Sequence, residues 1–137
     1  MCAAAWHVTP GLRETGASKG IGAEICFDAA KAGWACAVNF ASDAPGAARV
    51  VATIEEAGGT VIAAKADISN ADGVSIMFKA VDEAFDPVTG VVKNAGTMGS
   101  QGRAEDLDVA RTCRLLRWIH SALYLQQRSF GAHVQGP

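Results

Sequence analysis

A glycine-rich loop lies directly before an apolar pattern with helical spacing, in the segment TGASKGIGAEI at residues 15–25. Backbone N–H groups and the positive end of the helix dipole make the start of a helix a good phosphate site. Glycine lets the backbone approach a phosphate without an intervening side chain. The residues predicted to contact a pyrophosphate here are Gly16, Ser18, Lys19, Gly20 and Gly22. A structural turn before a helix also favours glycine, so the loop alone leaves both interpretations open.

The elements predicted around this loop alternate helices with short apolar strands. A helix over residues 20–34 ends near Gly33, and the apolar run WACAVNF at residues 34–40 is typical of a strand buried on both faces. A second helix opens at Asp43 and Pro45 and ends at the two following glycines, Gly58 and Gly59.

The second half continues the alternation with a strand over residues 60–67, a helix capped by Ser69 and a strand at VTGVV. One long helix is predicted over residues 104–130. The apolar positions predicted to face the core are Ile21, Ile25, Ala29 and Ala32 in the first helix, Val50, Val51 and Ile54 in the second, and Val74, Met77, Phe78, Val81 and Phe85 in the third.

This alternation predicts an α/β fold, a doubly wound parallel sheet with helices on both faces. Ligands of such sheets bind outside the carboxyl ends of the strands. The glycine loop opens the first helix, and Asp67 and residues 94–96 lie at the ends of predicted strands, so the topology places all three at that one edge. The agreement in placement favours a ligand site over a structural turn.

Three motifs in order resemble the short-chain dehydrogenase/reductase family. TGASKGIG fits its T-G-x-x-x-G-x-G signature, ADIS at residues 66–69 is similar to its adenine-side pair, and NAG at residues 94–96 is similar to its N-N-A-G. The resemblance, over residues 15–130, implies a Rossmann-like fold and an NAD(P)(H)-binding oxidoreductase of the carbonyl reductase or alcohol dehydrogenase kind. It also implies these cofactor-binding residues: Gly16, Ser18, Lys19, Gly20, Ile21, Gly22, Phe40, Ser42, Asp67, Ile68, Asn94, Ala95 and Gly96.

The end of the second predicted strand bears on the choice of cofactor. An NAD site usually carries an acidic residue there, which binds the ribose 2′-OH. This strand ends in NFAS at residues 39–42, and Asp43 comes late enough to cap the next helix instead. Lys19 would attract a 2′-phosphate, and family members with a basic residue at that place generally use NADP(H). The sequence therefore favours NADP(H) over NAD(H).

The segment before the glycine loop departs from the family pattern. A central strand should be apolar, yet residues 9–14 read TPGLRE, with Pro10 and Gly11 opposing a strand and Arg13 and Glu14 placing charges inside the sheet. The expectation is that the first strand is missing or that residues 3–8, AAAWHV, replace it.

The residues that perform catalysis in the family are not found in this sequence. Lys93 stands where the first Asn of N-N-A-G is usual, and Ile119 stands where a catalytic Asn is usual. The resemblance places the catalytic Ser and Y-x-x-x-K pair on a fifth strand and helix. Tyr124 and Arg128 form only a Y-x-x-x-R, and arginine does not release its proton. No catalytic residue is assigned.

These departures suggest a truncated or frame-shifted copy of a longer reductase. The chain is then a single partial dinucleotide-binding domain, residues 1–137, with a divergent N-terminus at 1–14 and a frayed tail at 131–137. The alternative function is a non-catalytic nucleotide-binding remnant or a protein-interaction module. A homo-oligomer could form through the last helix or the open sheet edge.

Composition narrows the other possibilities. A net charge of -2 without a basic run argues against nucleic acid as a partner, and no apolar run reaches the ~18 residues of a membrane span. The four cysteines are scattered and the three histidines are far apart, so no metal site is expected. Idle thiols and the lack of a signal-like start favour the cytoplasm.

Overall fold

The computed structural model describes residues 11–85 and 88–96, together with residues 108–110, 112, 113 and 116. In these residues four parallel strands form one sheet in the order β3-β2-β1-β4. The elements are β1 Gly11–Glu14, α1 Gly20–Lys31, β2 Ala35–Phe40, α2 Ala44–Glu56, β3 Val61–Lys65, α3 Ala71–Ala84 and β4 Val88–Val92. The doubly wound parallel sheet predicted from the sequence is confirmed.

Helices cover both faces of the sheet because alternate strand residues point to opposite sides. On one face, Cys36 and Val38 of β2 belong to a core cluster with residues of α1 and α2. On the other face, Ala64 of β3 packs in a second cluster with Met77 and Phe78 of α3. The predicted apolar stripes of α2 and α3 are largely confirmed, with Val50, Ile54, Val74, Met77, Phe78 and Val81 buried.

The stripe predicted for α1 is partly wrong. Ile21 is 74% exposed, and Ala32 lies beyond the last residue of the helix and is also exposed. The face that α1 buries is formed by Gly22, Ala23 and Cys26 instead. Small residues let the helix approach the sheet closely, which a hydrophobicity pattern alone does not register.

The N-terminal cap predicted from the sequence is right for α2 and wrong by one residue for α3. Asp43 caps α2, with its Oδ1 accepting from the Gly46 N–H at 3.0 Å. The cap of α3 is Asn70, whose Oδ1 accepts from Gly73 N–H at 2.8 Å. Ser69 lies in the preceding turn, where its N–H donates to Asp67 Oδ1 at 2.9 Å. Phe85, predicted to continue α3, is its half-buried C-terminal cap.

The expectation that the first strand is missing is wrong. Gly11–Glu14 forms β1 and pairs in parallel with both β2 and β4, with a register irregularity between Gly11 and Leu12. Leu12 supplies the apolar contact of a central strand. Arg13 is accommodated because its guanidinium lies 3.8 Å from the centroid of the Phe78 ring and pairs with Asp82. The hydrogen bonds that the β1 backbone makes to both neighbouring strands therefore compensate for the cost of burying its charged side chains.

The remaining predictions fall largely outside the described residues. Of the long helix predicted over residues 104–130, Val109, Ala110, Thr112, Cys113 and Leu116 are described and helical. Pro10, Ile119, Tyr124 and Arg128 lie outside the described residues, as do residues 1–10 and 131–137. Among the helices that are described, none combines the length and apolar character needed to cross a membrane.

Candidate functional site

Thr15 connects the glycine loop at the end of β1 to the loop that follows β4. Its hydroxyl donates to the Val92 carbonyl oxygen at 3.2 Å and accepts from the N–H groups of Asn94 and Ala95 at 3.0 and 3.1 Å. Its own N–H also donates to the Val92 carbonyl at 3.1 Å. One buried side chain thus fixes two loops that are about 80 residues apart in the sequence.

Asn94 completes this connection from the other side. Its Nδ2 donates to the carbonyl oxygens of Thr15 and Gly16, at 3.1 and 3.3 Å. A Cβ atom at Gly22 would lie only 2.6 Å from that Nδ2, and one at Gly16 would lie 2.8 Å from the Ala95 Cα. Glycine is favoured at both positions because a side chain at residue 22 would overlap the Asn94 side chain and the Gly16 carbonyl, and one at residue 16 would overlap the Ala95 backbone.

The start of α1 offers free backbone donors. Lys19 is its N-terminal cap and makes no side-chain capping hydrogen bond, in contrast to Asp43 and Asn70 at the other two helices. The first N–H groups of a helix have no partner within the helix. Lys19, Gly20 and Ile21 are exposed there, whereas Ser18 is almost fully buried. The arrangement can bind an anion through the backbone and the Lys19 ammonium group.

The residues predicted at the ends of β2 and β3 differ in accessibility. Ser42 and Asp67 are exposed at the sheet edge, and the Asp67 carboxylate already accepts from Ser69 N–H at 2.9 Å. Phe40 and Ile68 lie in the two apolar cores, so their side chains are largely covered. Their assignment as cofactor contacts stays a prediction. Asn94 and Ala95 lie beside the glycine loop, and Gly96 follows them and is exposed.

Two polar residues at this edge were not in the predicted set. Thr15 is the first residue of the T-G-x-x-x-G-x-G signature, so its position was already marked by the motif. Asn39 is fully buried in β2, and its Nδ2 donates to the carbonyl oxygens of Ala64 and Ala66, both at 3.0 Å. A polar residue inside the otherwise apolar run WACAVNF was the available signal for this second role. Asn39 holds the end of β3 against β2.

The electrostatics at the start of α2 favour a fixed negative charge. The pKa of the Asp43 carboxyl lies below its ordinary value, chiefly because the Gly46 N–H donates to it. Partial burial opposes this shift, while the Ser18 side chain and the positive charges of Lys19 and Arg49 add to it. The ionised form of the Asp43 carboxylate is therefore stabilised at this edge.

The fold and the edge geometry agree with a family match. A sequence model of the short-chain dehydrogenases matches residues 14–124 of the chain. The chain belongs to this family. An uncharacterized oxidoreductase of Escherichia coli K12, YgfF, is 36% identical over 102 residues, or 74% of this chain and 41% of that protein. A 3-oxoacyl-acyl-carrier-protein reductase of Synechocystis is 39% identical over 82 residues, or 60% of this chain and 33% of that enzyme.

Solved structures of short-chain dehydrogenases show the same arrangement. One from Burkholderia cenocepacia J2315 in complex with NADP has a TM-score of 0.83 at 30% identity, covering 88% of this chain and 49% of that one. The angucycline ketoreductase LanV with bound NADP has a TM-score of 0.82 at 28% identity, covering 89% of this chain and 50% of that one. The chain thus spans about half of the solved chains it superposes on, and less than half of the curated relatives it matches.

Proposed function

We propose that this chain is the nucleotide-binding part of an NAD(P)(H)-dependent oxidoreductase acting on a carbonyl or alcohol. The observation that carries the proposal is the glycine loop at the start of α1, which has no side-chain cap and is held by Thr15 against Asn94 and Ala95. Family membership and the NADP complexes of its structural neighbours support the same cofactor class.

The residues present fit a dinucleotide. A Cβ at Gly22 would fill the junction with Asn94, whereas a Cβ at Gly20 would meet no atom within 4 Å, so the backbone in front of α1 is open. We assign the pyrophosphate to the N–H groups of residues 20–22, and the adenosine to the edge formed by Ser42 and Asp67. The nicotinamide, when bound, supplies or accepts the hydride. The chain's own residues bind and orient it.

We further propose that NADP(H) is favoured over NAD(H). Residues 40–42, at the end of β2, carry no carboxylate to bind a ribose 2′-OH. The exposed Lys19 supplies a positive charge for a 2′-phosphate. Both features act on the adenosine side and leave the identity of the carbonyl substrate open.

For the 137 residues themselves we propose binding without turnover. Proton transfer in the family uses a tyrosine activated by a lysine, and the single tyrosine of this sequence, Tyr124, is followed four residues later by Arg128. Absence of carbonyl-dependent NADPH oxidation by a folded, NADPH-binding chain is the expected result. Measurable turnover would contradict this part of the proposal.

Thermal unfolding with and without NADPH tests the binding proposal. NADPH at ~100 times its Kd adds roughly 2.7 kcal/mol to the free energy of unfolding, which raises the Tm by several degrees. ATP at the same concentration is the control for a general anion effect. A cooperative transition that NADPH leaves in place would refute the proposal.

We also propose that the chain self-associates through the outer edge of β4 or through the helix after residue 108. In the described part of the sheet, β4 is terminal and pairs only with β1. An unpaired strand edge is a template for another strand. A defined dimer mass at two protein concentrations is the expected result of size-exclusion chromatography with light scattering, whereas a monomer at both would exclude it.

A further inference from the structure

Asn39, the next-to-last residue of β2, is hydrogen-bonded to segments on both sides of its strand. Its carbonyl oxygen accepts from the Ala17 N–H of the glycine loop at 2.9 Å. Its side-chain Nδ2 donates to the carbonyl oxygens of Ala64 and Ala66, both at 3.0 Å. One residue therefore connects the loop assigned to the pyrophosphate with the segment that leads to Asp67, at the edge assigned to the adenosine.

Both segments have left the regular strand pairing where these bonds form. β1 pairs with β2 as far as Glu14, and β3 pairs with β2 as far as Lys65. Beyond that point Ala66 keeps one backbone bond to β2, from its N–H to the Phe40 carbonyl at 3.0 Å. The Asn39 amide adds a bond at the place where the ladder ends.

The Asn39 side chain is chemically suited to this place. A primary amide carries two N–H donors, and both carbonyls that they meet lie in the interior, where an acceptor without a donor is costly. Asn39 itself is 2% exposed and Ala66 is 7% exposed. The two bonds, to Ala64 and Ala66, fix the direction in which the chain leaves β3. Asp67 and Ile68 follow directly, so their position depends on these bonds.

We infer that Asn39 is a positioning residue for the dinucleotide, which holds the adenosine edge at Asp67 at the distance from the glycine loop that a single ligand spanning both must match. This inference rests on the proposed function. The bond to Ala17 comes from the main chain and remains whatever the side chain. The bonds to Ala64 and Ala66 come only from the amide. A change of side chain should therefore affect the adenosine edge and spare the glycine loop.

Asn39→Leu tests the inference, because leucine has nearly the same size and no donor. The probes are ADP, which reaches both parts of the site, and inorganic pyrophosphate, which reaches only the glycine loop. The Kd of ADP should rise about tenfold, as for an edge held in place in about one molecule in ten, while that of pyrophosphate changes less than about twofold. Isothermal titration calorimetry of the full chain measures both. A general loss of stability would weaken both ligands by the same factor, because it changes only the folded fraction.

Ile54→Val is the matched control. Ile54 is buried in the core that covers β2, near the end of α2, and its shortening lowers stability without removing a hydrogen bond of either segment. The ratio of the two Kd values should equal that of the wild type. Asn39→Ser, which is smaller and keeps one donor, should give a ratio between those of the wild type and Asn39→Leu.

The possible outcomes separate the inference from the proposed function. Equal changes for ADP and pyrophosphate in Asn39→Leu, or no change for either, would overturn the inference and leave the proposed function intact. Loss of the cooperative unfolding transition in both Asn39 variants would also overturn it, because the residue would then serve the fold as a whole. Failure of the wild-type chain to bind NADPH and ADP would overturn both.

Discussion

Glu14 and Thr15 are neighbours in the sequence and are equally buried, yet their polar atoms are in opposite situations. Thr15, 1% exposed, has three hydrogen-bond partners for one hydroxyl group. Glu14, 0% exposed, has two carboxyl oxygens without a partner among the described residues. The strand β1 thus ends in a satisfied polar connection and contains an unsatisfied group one residue earlier.

The difference shows that one short strand can both position the glycine loop and bury a polar group that lowers stability. A buried polar group costs stability unless it is hydrogen-bonded, and a charged one costs more. Glu14 avoids the charge by holding its proton: burial, and secondarily the neighbouring Cys36, raises the pKa of its carboxyl from 4.5 to about 8. The pairing of β1 that leads into the glycine loop therefore buries a carboxyl group that makes the free energy of unfolding depend on pH.

The largest expected effect is the pH dependence that Glu14 produces. Below pH 4.5 the carboxyl is protonated in both states, and its contribution to stability is fully present. Between pH 4.5 and about 8 only the unfolded state ionises, so the free energy of unfolding falls by ~1.36 kcal/mol per pH unit, roughly 5 kcal/mol in all. Urea unfolding from pH 4.5 to 9 measures this decline.

Glu14→Gln isolates the contribution of this group, because glutamine has the same shape and does not titrate. The stability difference between the variant and the wild type should grow as the pH rises through this window. A difference that stays constant with pH would show that Glu14 does not carry the proton.

The second effect removes the satisfied connection. Thr15→Val keeps the shape of the side chain and deletes the hydroxyl, which leaves the N–H groups of Asn94 and Ala95 without their acceptor. A loss of about 2–4 kcal/mol is expected, since each buried unsatisfied donor costs ~1–3 kcal/mol. Urea unfolding measures the loss, and the same variant should bind NADPH more weakly.

Thr53→Val is the matched control for Thr15. The Thr53 hydroxyl is exposed and donates only to the Arg49 carbonyl within its own helix, at 2.9 Å. Its replacement should change stability by less than ~0.5 kcal/mol. Similar losses at the two positions would mean that the connection at Thr15 is not what stabilises the loop.

Alanine substitutions at two glycines compare a steric clash with backbone strain within the glycine loop, and their expected effects are smaller. Gly22→Ala should cost about 1–3 kcal/mol and weaken NADPH binding, because the new Cβ meets Asn94 Nδ2 and the Gly16 carbonyl. Gly20→Ala meets no atom and carries only the ~1–2 kcal/mol cost of its φ of 59°. Thermal unfolding with and without NADPH compares them; equal NADPH shifts would argue against the Gly22–Asn94 junction.

An effect of similar size concerns Arg13, the other charge within β1. Asp82→Ala removes the partner of a guanidinium that is 4% exposed and should destabilise by ~1–3 kcal/mol. Arg13→Met removes the buried charge itself and leaves Asp82, 59% exposed, to water, so a change within ~1 kcal/mol is expected. Urea midpoints should rank Asp82→Ala as the less stable variant. The opposite ranking would show that Arg13 stabilises mainly through its contact with Phe78.

The sequence allowed prediction of the parts that repeat a local pattern. The apolar run of β2, the Asp43 cap and the stripes of α2 and α3 follow from residue types within a few positions of one another. The site loops were predicted for the same reason, since their residues come in short motifs. Thr15 was missed as a connecting residue because its partners lie 77–80 residues away.

The first strand could not be predicted because its side chains argue against it and its backbone partners lie elsewhere. Arg13 and Glu14 oppose a central position, and only the pairing of β1 with β2 and β4 compensates for them. The exposed position of Ile21 was missed for a related reason. The helix packs on the sheet through the small residues Gly22 and Ala23, so the larger apolar side chain of Ile21 is left on the exposed face.

The separation of Thr15 and Val92 along the sequence also sets how soon their hydrogen bond can form during translation. Ribosomes add ~5–20 residues per second, so the 77 residues that separate the two take roughly 4–15 s to synthesise. Until then β1 can pair only with β2, and the hydroxyl of Thr15 lacks every partner it has in the folded chain. The glycine loop therefore reaches its final shape only after β4 and the two residues Asn94 and Ala95 have been synthesised.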